Sequence, residues 1–503
     1  MSERLWQSIA ARADRTPGAL FAIDESDRRM TFGAYRERAD RTAAGLARLG
    51  VHNGTTVAWV LPTGLDALVL YGALSRLGAI QVPLLTAYRE RELAFALRQT
   101  GAQLLVVRSR LRGVDYAGMA ERVVSRGDAA TRVLAVDDGA LPEADTRALA
   151  PTEHGSFIYY TSGTTADPKG VRHTDATLRA AASGLVDALA LAPDDRAAIP
   201  FALSHIGGAL WLIASLLSGC ALIVLETFDA TAIDALARHG VTQAGAGTVF
   251  HQRYLAAQRA RPDAPLFPRV RAFPGGGAPK PPELHDAIKR ELGGAGIVSG
   301  YGLTECPAVT MNRVGDRDED LARTEGRPSP RGAEVRVVTL DGREARAGEE
   351  GEVRVRGPQL FLGYVDAALD AGALDDRGFF ETGDLGSLDA GGYLTITGRL
   401  KDVIVRKGEN ISAKEIEDLL YEHPEVTDVA VIGVPDRELG ERCCAVVVAR
   451  RSAAPPTLAA LASFLDERGL MRQKIPERVE IVSELPRNAL GKLDKRALRA
   501  RFG

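Results

Sequence analysis

Short apolar segments alternate with helix-like segments through the first two thirds of this 503-residue sequence. Strand-like and helix-like runs follow one another closely at residues 56–61, 64–77, 80–84, 91–99 and 104–107. A strand, a crossover helix and a second parallel strand produce this rhythm, because parallel neighbours cannot be joined by a tight turn. The alternation therefore predicts βαβ units, largely parallel sheets and an α/β fold.

The pattern changes to alternating strands and tight turns near residues 333–355. Asp341-Gly342 and the glycine-rich turn at 348–351 are typical of hairpin connections, and strands joined in this way form antiparallel sheets. We expect a small β-barrel subdomain near residues 325–398.

The segment after Gly398 has the pattern of a separate small domain. Its predicted order is a strand, a helix, two strands, a second helix and a basic tail, with the clearest elements at 412–422, 426–434 and 442–448. About a hundred residues suffice for such an α+β domain. We therefore predict a large N-terminal domain of βα-layered sheets plus the barrel at residues 1–398, followed by a small, mobile α+β domain at residues 399–503.

Net charge and cysteine content narrow the possible partners and compartment. Lys and Arg number 63 against 66 Asp and Glu, and the net charge of −3 gives no general attraction for nucleic acid or anionic membranes. The four cysteines lack paired metal-ligand spacing and fit a reducing compartment, and residues 1–15 show no secretory signal. We expect a cytoplasmic protein that binds no nucleic acid.

One uncharged stretch, residues 207–225, approaches the length of a membrane span. The alternative is a buried helix that ends at Gly219 and is followed by a strand at 221–225. Glycine often terminates helices, and the residues after it are mostly apolar strand formers. We therefore expect a buried helix and strand, and no integral membrane segment.

Residues 159–170 read YYTSGTTADPKG, an apolar strand followed by hydroxyl groups, glycines and one lysine. Backbone amides and hydroxyls at such a turn can hold phosphate oxygens, and a lysine adds positive charge. The string is not a Walker motif, because no Gly-Lys-Ser/Thr is present. A solvated Thr/Gly turn is the alternative. A phosphate loop here would use Thr161, Ser162, Gly163, Thr164, Thr165 and Lys169.

This string resembles the phosphate loop of the adenylate-forming family of acyl-CoA ligases, nonribosomal adenylation domains and beetle luciferases. Ala166 departs from the glycine that is common there. Further matches follow in the family's order: SGYGLTE at 299–305, TGD at 382–384, GRLKD at 398–402, KGENI at 407–411 and PRNALGK at 486–492. The C-terminal motifs are most similar to those of ligases for medium-chain and cyclohexanecarboxylate-type acids.

The resemblance implies a reaction that depends on ATP and Mg²⁺, and it suggests roles for the matching residues. Glu305 resembles the magnesium ligand, helped by the hydroxyl of Thr161 or Thr304, and oxygen ligands suit this hard cation. Asp384 resembles the ribose-binding carboxylate and Arg399 its partner, with a plain salt bridge as the alternative. Tyr301 resembles the aromatic that stacks on adenine, with a core tyrosine as the alternative. By resemblance Gly276, Gly277 and Ala278 would form the opposite wall, and Ser299 and Gly302 would be further cofactor-binding residues.

Four C-terminal residues match positions that, in this family, belong to the moving small domain or to the coenzyme A site. Lys492, in a basic stretch whose plain interpretation is a solvated face, matches the lysine that acts on the carboxylate and α-phosphate in adenylation only. Lys401 matches the hinge about which the small domain rotates. Arg406 and Gly408 would lie near the pantetheine tunnel for coenzyme A, where Lys407 replaces a glycine common in relatives.

The acyl substrate is expected beside the segment FALSHIGG. His205 resembles the residue that closes the carboxylate pocket in acyl-CoA ligases, with a core histidine as the alternative. Ala202 stands where amino-acid-activating relatives carry an aspartate, which argues against an α-amino substrate because a buried unpaired ammonium is costly. Small residues beside apolar ones predict room for a medium-chain or bulky alicyclic acid, in a pocket formed by Ile206, Gly207, Trp211, Gly247 and Gly275.

Three functions are compatible with these motifs: an acyl-CoA ligase, an acyl-AMP ligase that loads a separate carrier protein, and a non-catalytic nucleotide-binding protein. No carrier segment precedes the last residue, Gly503. The third function is disfavoured because the chemically essential residue types are all present, at Lys169, Glu305, Asp384, Arg399 and Lys492. We therefore expect the first, with ATP, Mg²⁺ and coenzyme A as cofactors and a carboxylic acid as substrate.

Overall fold

The computed structural model of the protein describes residues 4–127, 131–146, 149, 155–161, 168–277, 280–406, 409–437, 439–450, 455–487 and 492–503. Several residues predicted to bind nucleotide or coenzyme A lie outside the described residues: Ser162, Gly163, Thr164, Thr165, Ala278 and Gly408. The other predicted site residues are all described.

The helices of the described residues are α1 (Leu5–Arg15), α2 (Phe32–Arg48), α3 (Leu65–Leu77), α4 (Glu90–Thr100), α5 (Tyr116–Ser125), α6 (Asp175–Leu189), α7 (Ile206–Ser218), α8 (Ala230–Arg238), α9 (Thr248–Arg259), α10 (Pro282–Leu292), α11 (Asp318–Arg323), α12 (Ala413–Tyr421), α13 (Leu458–Glu467) and α14 (Lys495–Phe502).

The strands up to residue 328 are β1 (Leu20–Asp24), β2 (Arg29–Thr31), β3 (Thr56–Val60), β4 (Ile80–Pro83), β5 (Leu104–Arg108), β6 (Arg110–Leu111), β7 (Val114–Asp115), β8 (Arg132–Val136), β9 (Ser156–Tyr160), β10 (Gly170–Thr174), β11 (Arg196–Ile199), β12 (Ala221–Val224), β13 (Phe273–Gly276), β14 (Ile297–Tyr301), β15 (Thr310–Met311) and β16 (Arg327–Pro328). The later strands are β17 (Glu334–Val338), β18 (Gly351–Arg356), β19 (Phe380–Leu388), β20 (Leu394–Arg399), β21 (Ile404–Arg406), β22 (Glu409–Ile411), β23 (Val426–Asp436), β24 (Gly440–Ala449) and β25 (Arg478–Ile481).

Strands and helices alternate in the large N-terminal domain, as predicted. Its six-stranded sheet has the order β10-β9-β4-β3-β5-β8, and its neighbours are parallel except for β10 and β9. Two four-stranded sheets, β11-β12-β1-β2 and β13-β14-β15-β16, belong to the same domain. The strand predicted at 56–61 is β3 and the helix predicted at 64–77 is α3, so the local hydrophobic period identified both elements.

The apolar stretch at 207–225 is a buried helix followed by a strand, which confirms the expectation. α7 ends at Gly219, whose φ of +88° favours glycine, and the chain continues into β12. The buried guanidinium of Arg12 in α1 donates to the carbonyls of Leu216 (2.8 Å) and Leu217 (2.6 Å) in the last turn of α7. A cation is favourable there because the C-terminus of a helix carries partial negative charge. Within the described residues, no helix has the length and apolar composition needed to cross a bilayer.

Residues 334–399 form an antiparallel sheet with the strand order β17-β18-β19-β20. The antiparallel pairing agrees with the prediction, but the sheet is open: in residues 280–406, all of which are described, no ladder joins β17 to β20. The ladders of this sheet join only these four strands, and the small β-barrel subdomain expected near 325–398 stays a prediction. Val353 and Val355 of β18 are buried in a cluster with Phe361 and Tyr364.

The C-terminal part of the chain is a small α+β domain, as predicted. Its sheet has the order β22-β21-β24-β23, with β25 parallel to β24. The basic tail, expected to be solvated apart from Lys492, is the helix α14, and its Leu498 is buried. A 3₁₀ turn, Leu400–Asp402, separates β20 from β21. The exact boundary after residue 398 and the hinge at Lys401 stay predictions.

Candidate functional site

The adjacent strands β19 and β20 bring Asp384 and Arg399 together as directly paired cross-strand residues. Arg399 Nε lies 2.7 Å from Asp384 Oδ1, and the hydroxyl of Tyr301, at the end of β14, donates to Asp384 Oδ2 at 2.6 Å. Burial, followed by the Asp384 charge, raises the pKa of Tyr301 well above its ordinary value. Both oxygens of a buried carboxylate are thus oriented by donors on two different sheets.

Glycines allow two backbone segments to approach each other beside Tyr301. Gly276 in β13 pairs with Gly300 in β14, and a Cβ added at Gly276 would lie 2.8 Å from the Gly300 carbonyl oxygen. A Cβ at Gly302 would lie 2.4 Å from the backbone nitrogen of Ala308. Only glycine fits at these two positions, so the backbone segments beside Tyr301 approach each other more closely than a side chain would allow.

Glu305 is held by Tyr364, which sequence reasoning missed. The Tyr364 hydroxyl donates to Glu305 Oε1 at 2.8 Å, and Lys169 Nζ lies 5.1 Å from the centroid of the same ring. The backbone N–H of Thr161 donates to the carbonyl of Lys169 at 3.0 Å, which joins the two described ends of the predicted phosphate loop. One tyrosine therefore links the predicted magnesium ligand to the predicted phosphate-binding lysine.

Thr304 is fixed through its backbone by a buried histidine. His173 Nε2 donates to the Thr304 carbonyl oxygen at 2.7 Å, and its Nδ1 lies 2.9 Å from Thr177 Oγ1. Burial lowers the pKa of His173 to about 4, although its bond to Thr304 acts in the opposite direction. The imidazole is therefore neutral near pH 7 and serves to position the residue before Glu305.

The residues at this site fit a magnesium ion bound mainly through substrate. The described residues contain no group of three His, Cys, Asp or Glu side chains that could enclose a metal. Glu305 supplies one buried carboxylate with a free lone pair beyond its bond to Tyr364. Mg²⁺ is commonly held by one or two carboxylates, phosphate oxygens and water, so a single carboxylate beside a phosphate loop suits it.

Lys492 enters this site from the C-terminal domain. Its side chain lies beside Gly277, because a Cβ added there would be 3.7 Å from Lys492 Cε. The pKa of Lys492 is lowered, mainly by burial and then by the positive charge of Arg399. The carboxylates of Asp384 and Glu305 offset part of this decrease. The two domains therefore place one lysine among the residues predicted to bind ribose, adenine and magnesium.

Family comparisons agree with this arrangement. Residues 9–365 match the AMP-binding enzyme family, and residues 415–492 match the AMP-binding enzyme C-terminal domain. The chain belongs to the family of AMP-binding, adenylate-forming enzymes. Members of this family use ATP and Mg²⁺, and coenzyme A in the acyl-CoA synthetases, as the motifs led us to expect.

Relatives of this adenylate-forming enzyme differ in substrate and acceptor. The salicyl-AMP ligase / salicyl-S-ArCP synthetase of Mycobacterium tuberculosis is 33% identical over 98% of this chain and 90% of its own length. The medium-chain fatty-acid–CoA ligase of Escherichia coli is 31% identical over 98% of this chain and 89% of its own. ATP-bound MatB from Rhodopseudomonas palustris, at 30% identity, superposes with a TM-score of 0.85 over 99% of both chains.

His205 stands at the N-terminus of α7 in this adenylate-forming enzyme. Its Nδ1 accepts the N–H of Gly207 at 3.2 Å, which leaves Nε2 protonated in the neutral ring. Burial, followed by the charge of Lys492, lowers the pKa of His205 to about 4. The neutral form of His205 therefore dominates at physiological pH, beside the positive charge of Lys492.

The glycines of the predicted acyl pocket have packing roles that the sequence did not reveal. A Cβ at Gly275 would lie 3.2 Å from Ile297 Cγ2 and 3.3 Å from His251 Cε1, and one at Gly207 would lie 3.2 Å from His205 Nδ1. Close packing explains these glycines, so their small size is not evidence of a wide pocket. Gly247 has a φ of +115° and directly precedes α9.

Ile206 and Trp211 are buried residues of α7 and belong to the main core cluster. The ring of Phe201 lies over Gly207, since a Cβ there would be 3.4 Å from Phe201 Cε2. Apolar side chains thus surround the start of α7 next to His205. Whether Ile206, Gly207, Trp211, Gly247 and Gly275 contact substrate stays a prediction.

Ser299 and Arg406 have protein partners of their own. Ser299 Oγ donates to the Thr324 carbonyl at 3.3 Å within a buried network that includes Asn312. Arg406 Nε lies 2.6 Å from Glu477 Oε1 in the C-terminal domain. In this orientation of the domains, the described contacts of Arg406 are therefore with the small domain and not with the cluster around Lys492.

Proposed function

We propose that this protein is an ATP-dependent acyl-CoA ligase. It would activate a carboxylic acid as acyl-AMP with release of pyrophosphate, and then transfer the acyl group to coenzyme A with release of AMP. The position of Lys492 carries the proposal: a lysine from the small domain lies beside Gly277 and interacts with the charges of Glu305, Asp384 and Arg399. A cation at this place can offset the negative charge that develops when a carboxylate attacks the α-phosphate.

The surrounding residues support the first half-reaction by orienting the reactants. Asp384, with both oxygens already oriented by Tyr301 and Arg399, is suited to accept hydrogen bonds from ribose hydroxyls. Glu305 would hold Mg²⁺, which would supply positive charge at the phosphates, and Lys169 would add a second cation there. Positioning of this kind accounts for much of the catalysis of phosphoryl and nucleotidyl transfer.

The substrate we propose is an apolar acid without an α-amino group. Neither the segment 201–208 nor the segment 245–251 contains an acidic residue that could pair with an ammonium. Ala202, Phe201 and the apolar start of α7 favour an aliphatic, alicyclic or aromatic acyl group. Medium-chain and cyclohexane-type acids are the first candidates.

Coenzyme A as acceptor requires a second arrangement of the domains. We propose that the small domain rotates about Lys401 after adenylation, which removes Lys492 from the site and brings Arg406 toward it. Arg406 would then exchange its partner Glu477 for a phosphate of coenzyme A. Motions of this kind are commonly part of the catalytic cycle of multidomain enzymes.

A second candidate function is an acyl-AMP ligase that loads a carrier protein. The relatives that favour it are the salicyl-AMP ligase / salicyl-S-ArCP synthetase and the pyochelin synthase PchD of Pseudomonas aeruginosa, each 33% identical to this chain. The residues described above for adenylation would be the same in both functions. The two functions differ only in the acceptor.

Mass spectrometry of the products tests both functions. The purified protein would be incubated with ATP, Mg²⁺, coenzyme A and a panel of octanoate, cyclohexanecarboxylate, salicylate, acetate and an α-amino acid. We expect acyl-CoA and AMP from the larger apolar acids. Acyl-AMP without thioester would favour the carrier-protein function, and a higher kcat/KM for acetate or the amino acid would contradict the proposed substrate class.

A further inference from the structure

Helix α14 connects Lys492 to the turn that contains the predicted hinge. α14 begins at Lys495, three residues after Lys492, and its Arg499 Nη2 lies 2.8 Å from Asp402 Oδ1. Asp402 ends the 3₁₀ turn Leu400–Asp402, which directly follows Arg399. A single ion pair therefore joins the helix after Lys492 to the turn after Arg399.

The backbone around Lys492 is anchored on both sides. Leu493 forms an antiparallel bridge with Arg487, and the N–H of Asp494 donates to the Pro486 carbonyl at 2.8 Å. Arg487 Nη2 lies 2.6 Å from Asp428 Oδ2 in β23. These contacts hold Leu493 and Asp494 against Pro486 and Arg487, and through Arg487 against β23. Because Lys492 directly precedes Leu493, its position follows the orientation of α14 and β23.

We propose that the Arg499–Asp402 ion pair is a positioning device that fixes where Lys492 lies relative to Asp384 and Arg399 during adenylation. The inference rests on the proposed role of Lys492. The Asp402 carboxylate holds α14 against the turn at which the small domain begins, so Lys492 keeps a fixed place relative to that turn, and hence to Arg399, whenever the small domain is in its adenylation orientation. Without the pair, the domain would still fold, but Lys492 would occupy the productive position less often.

The solvent exposure of the Arg499–Asp402 pair favours a positioning role over a role in the stability of the fold. The side chains of Arg499 and Asp402 are 34% and 19% exposed, and ion pairs this accessible contribute little to folding free energy. A second pair between α14 and α12, Lys495 Nζ to Glu417 Oε1 at 2.7 Å, is more deeply buried. Removing one partner of a buried pair destabilises the fold, so Lys495 is a poor site for this test.

The test compares Arg499→Ala with Arg499→Lys and with the matched control Arg496→Ala, which removes a charge from an exposed position of the same helix. Adenylation is measured by ATP–pyrophosphate exchange with the best acid of the panel. We expect Arg499→Ala to lower kcat by about 10-fold or more with little change in the KM for ATP, because small displacements of a catalytic group are costly. Arg499→Lys should restore most of the rate, Arg496→Ala should behave as wild type, and the melting temperatures should agree.

A double-mutant cycle supplies the decisive readout. If Arg499 acts through Lys492, then Arg499→Ala should cost less than about twofold in a Lys492→Ala background, and Asp402→Asn should behave in the same way. An equal loss with and without Lys492, or a full rate for Arg499→Ala, would overturn the inference. Absence of exchange in the wild-type protein with every acid would instead reject the proposed function itself.

Discussion

The Tyr364 hydroxyl donates a hydrogen bond to Glu305 Oε1 at 2.8 Å, and the Lys169 ammonium lies over the Tyr364 ring, 5.1 Å from its centroid. The proposed magnesium ligand and the proposed phosphate-binding cation thus share one aromatic residue. Burial and the Glu305 charge raise the pKa of Tyr364, so the hydroxyl stays protonated and donates throughout the physiological range. Tyr364 is therefore placed to orient the carboxylate that would hold Mg²⁺.

Replacing Tyr364 by Phe should weaken adenylation through magnesium. The variant keeps the ring beside Lys169 and loses the bond to Glu305, and a hydrogen bond to a charged group is worth about 1.5–3 kcal/mol. We expect kcat/KM for ATP to fall by about 10-fold or more, with a higher Mg²⁺ concentration needed for half-maximal ATP–pyrophosphate exchange.

Tyr116→Phe is the matched control for Tyr364→Phe. It also removes a hydroxyl, which in Tyr116 donates to the Thr86 carbonyl outside the candidate site. The control should leave the magnesium dependence at the wild-type value. An unchanged magnesium dependence in Tyr364→Phe itself would show that Glu305 is oriented without the hydroxyl.

Asp384→Asn tests the proposed ribose site. An amide can offer one oxygen, but Tyr301 and Arg399 both donate toward the native carboxylate, so one donor would face an NH₂ group. We expect kcat/KM for ATP to fall by about 100-fold, equivalent to about 3 kcal/mol, measured by pyrophosphate exchange. Asp376→Asn, at an exposed position of the same domain, is the control, and equal effects of the two substitutions would argue against a nucleotide role for Asp384.

Local sequence patterns predicted the parts of the fold that depend on neighbouring residues. The strand β3, the helix α3 and the break at Gly219 follow from hydrophobic period and glycine placement. Helix α14 was missed as a helix, although Leu498 and Phe502 stand four residues apart on one face of an otherwise basic segment. A strongly charged composition concealed a short amphipathic period there.

Contacts between distant residues were beyond such patterns. Tyr364 and Glu305 are 59 positions apart, and Arg499 and Asp402 are 97 apart, and nothing in either local string indicates its partner. The side-chain packing around Gly275, which faces Ile297 Cγ2, was likewise not visible in the sequence, and its place in the acyl pocket stays a prediction. Motif resemblance supplied the candidate residues for the site, whereas their mutual orientation required the three-dimensional structure.

Lys492→Ala should separate the two half-reactions. If Lys492 acts only in adenylation, its loss should lower ATP–pyrophosphate exchange by about 1,000-fold, and thioester formation from supplied acyl-AMP should change by less than about 10-fold. Lys289→Ala, on an exposed part of α10, is the control for loss of a surface lysine. Equal losses in both half-reactions would contradict the role proposed for Lys492.

The stability of the protein should fall as the pH is lowered from about 6.5 to about 4. Burial is the main cause that lowers the pKa of His173 and His205 to about 4 and that of His251 to about 3. In this window the unfolded chain binds more protons than the folded one, so each histidine reduces the free energy of unfolding by up to about 1.4 kcal/mol per pH unit. Urea unfolding at several pH values measures the slope.

His173→Gln tests the origin of that slope, because glutamine can still donate to Thr304 but does not titrate. We expect its stability to depend less on pH between about 4 and 6.5 than that of the wild type, whereas His52→Gln, at an exposed loop position, should keep the wild-type slope. A slope that is unaffected by His173→Gln would place the pH sensitivity elsewhere.

Arg12→Met should destabilise the N-terminal domain by about 3 kcal/mol. The substitution preserves apolar contact but removes two charge-assisted hydrogen bonds to the carbonyls of Leu216 and Leu217, which would then lack these donors at the buried end of α7. It also removes a cation from a helix C-terminus, where it is favourable. Because α7 carries His205 at its other end, the folded fraction should retain near-normal kinetics if only stability is affected. Arg15→Met, at an exposed position of α1, should change the urea midpoint by much less, and similar midpoints for the two variants would mean that the buried guanidinium does not stabilise the end of α7.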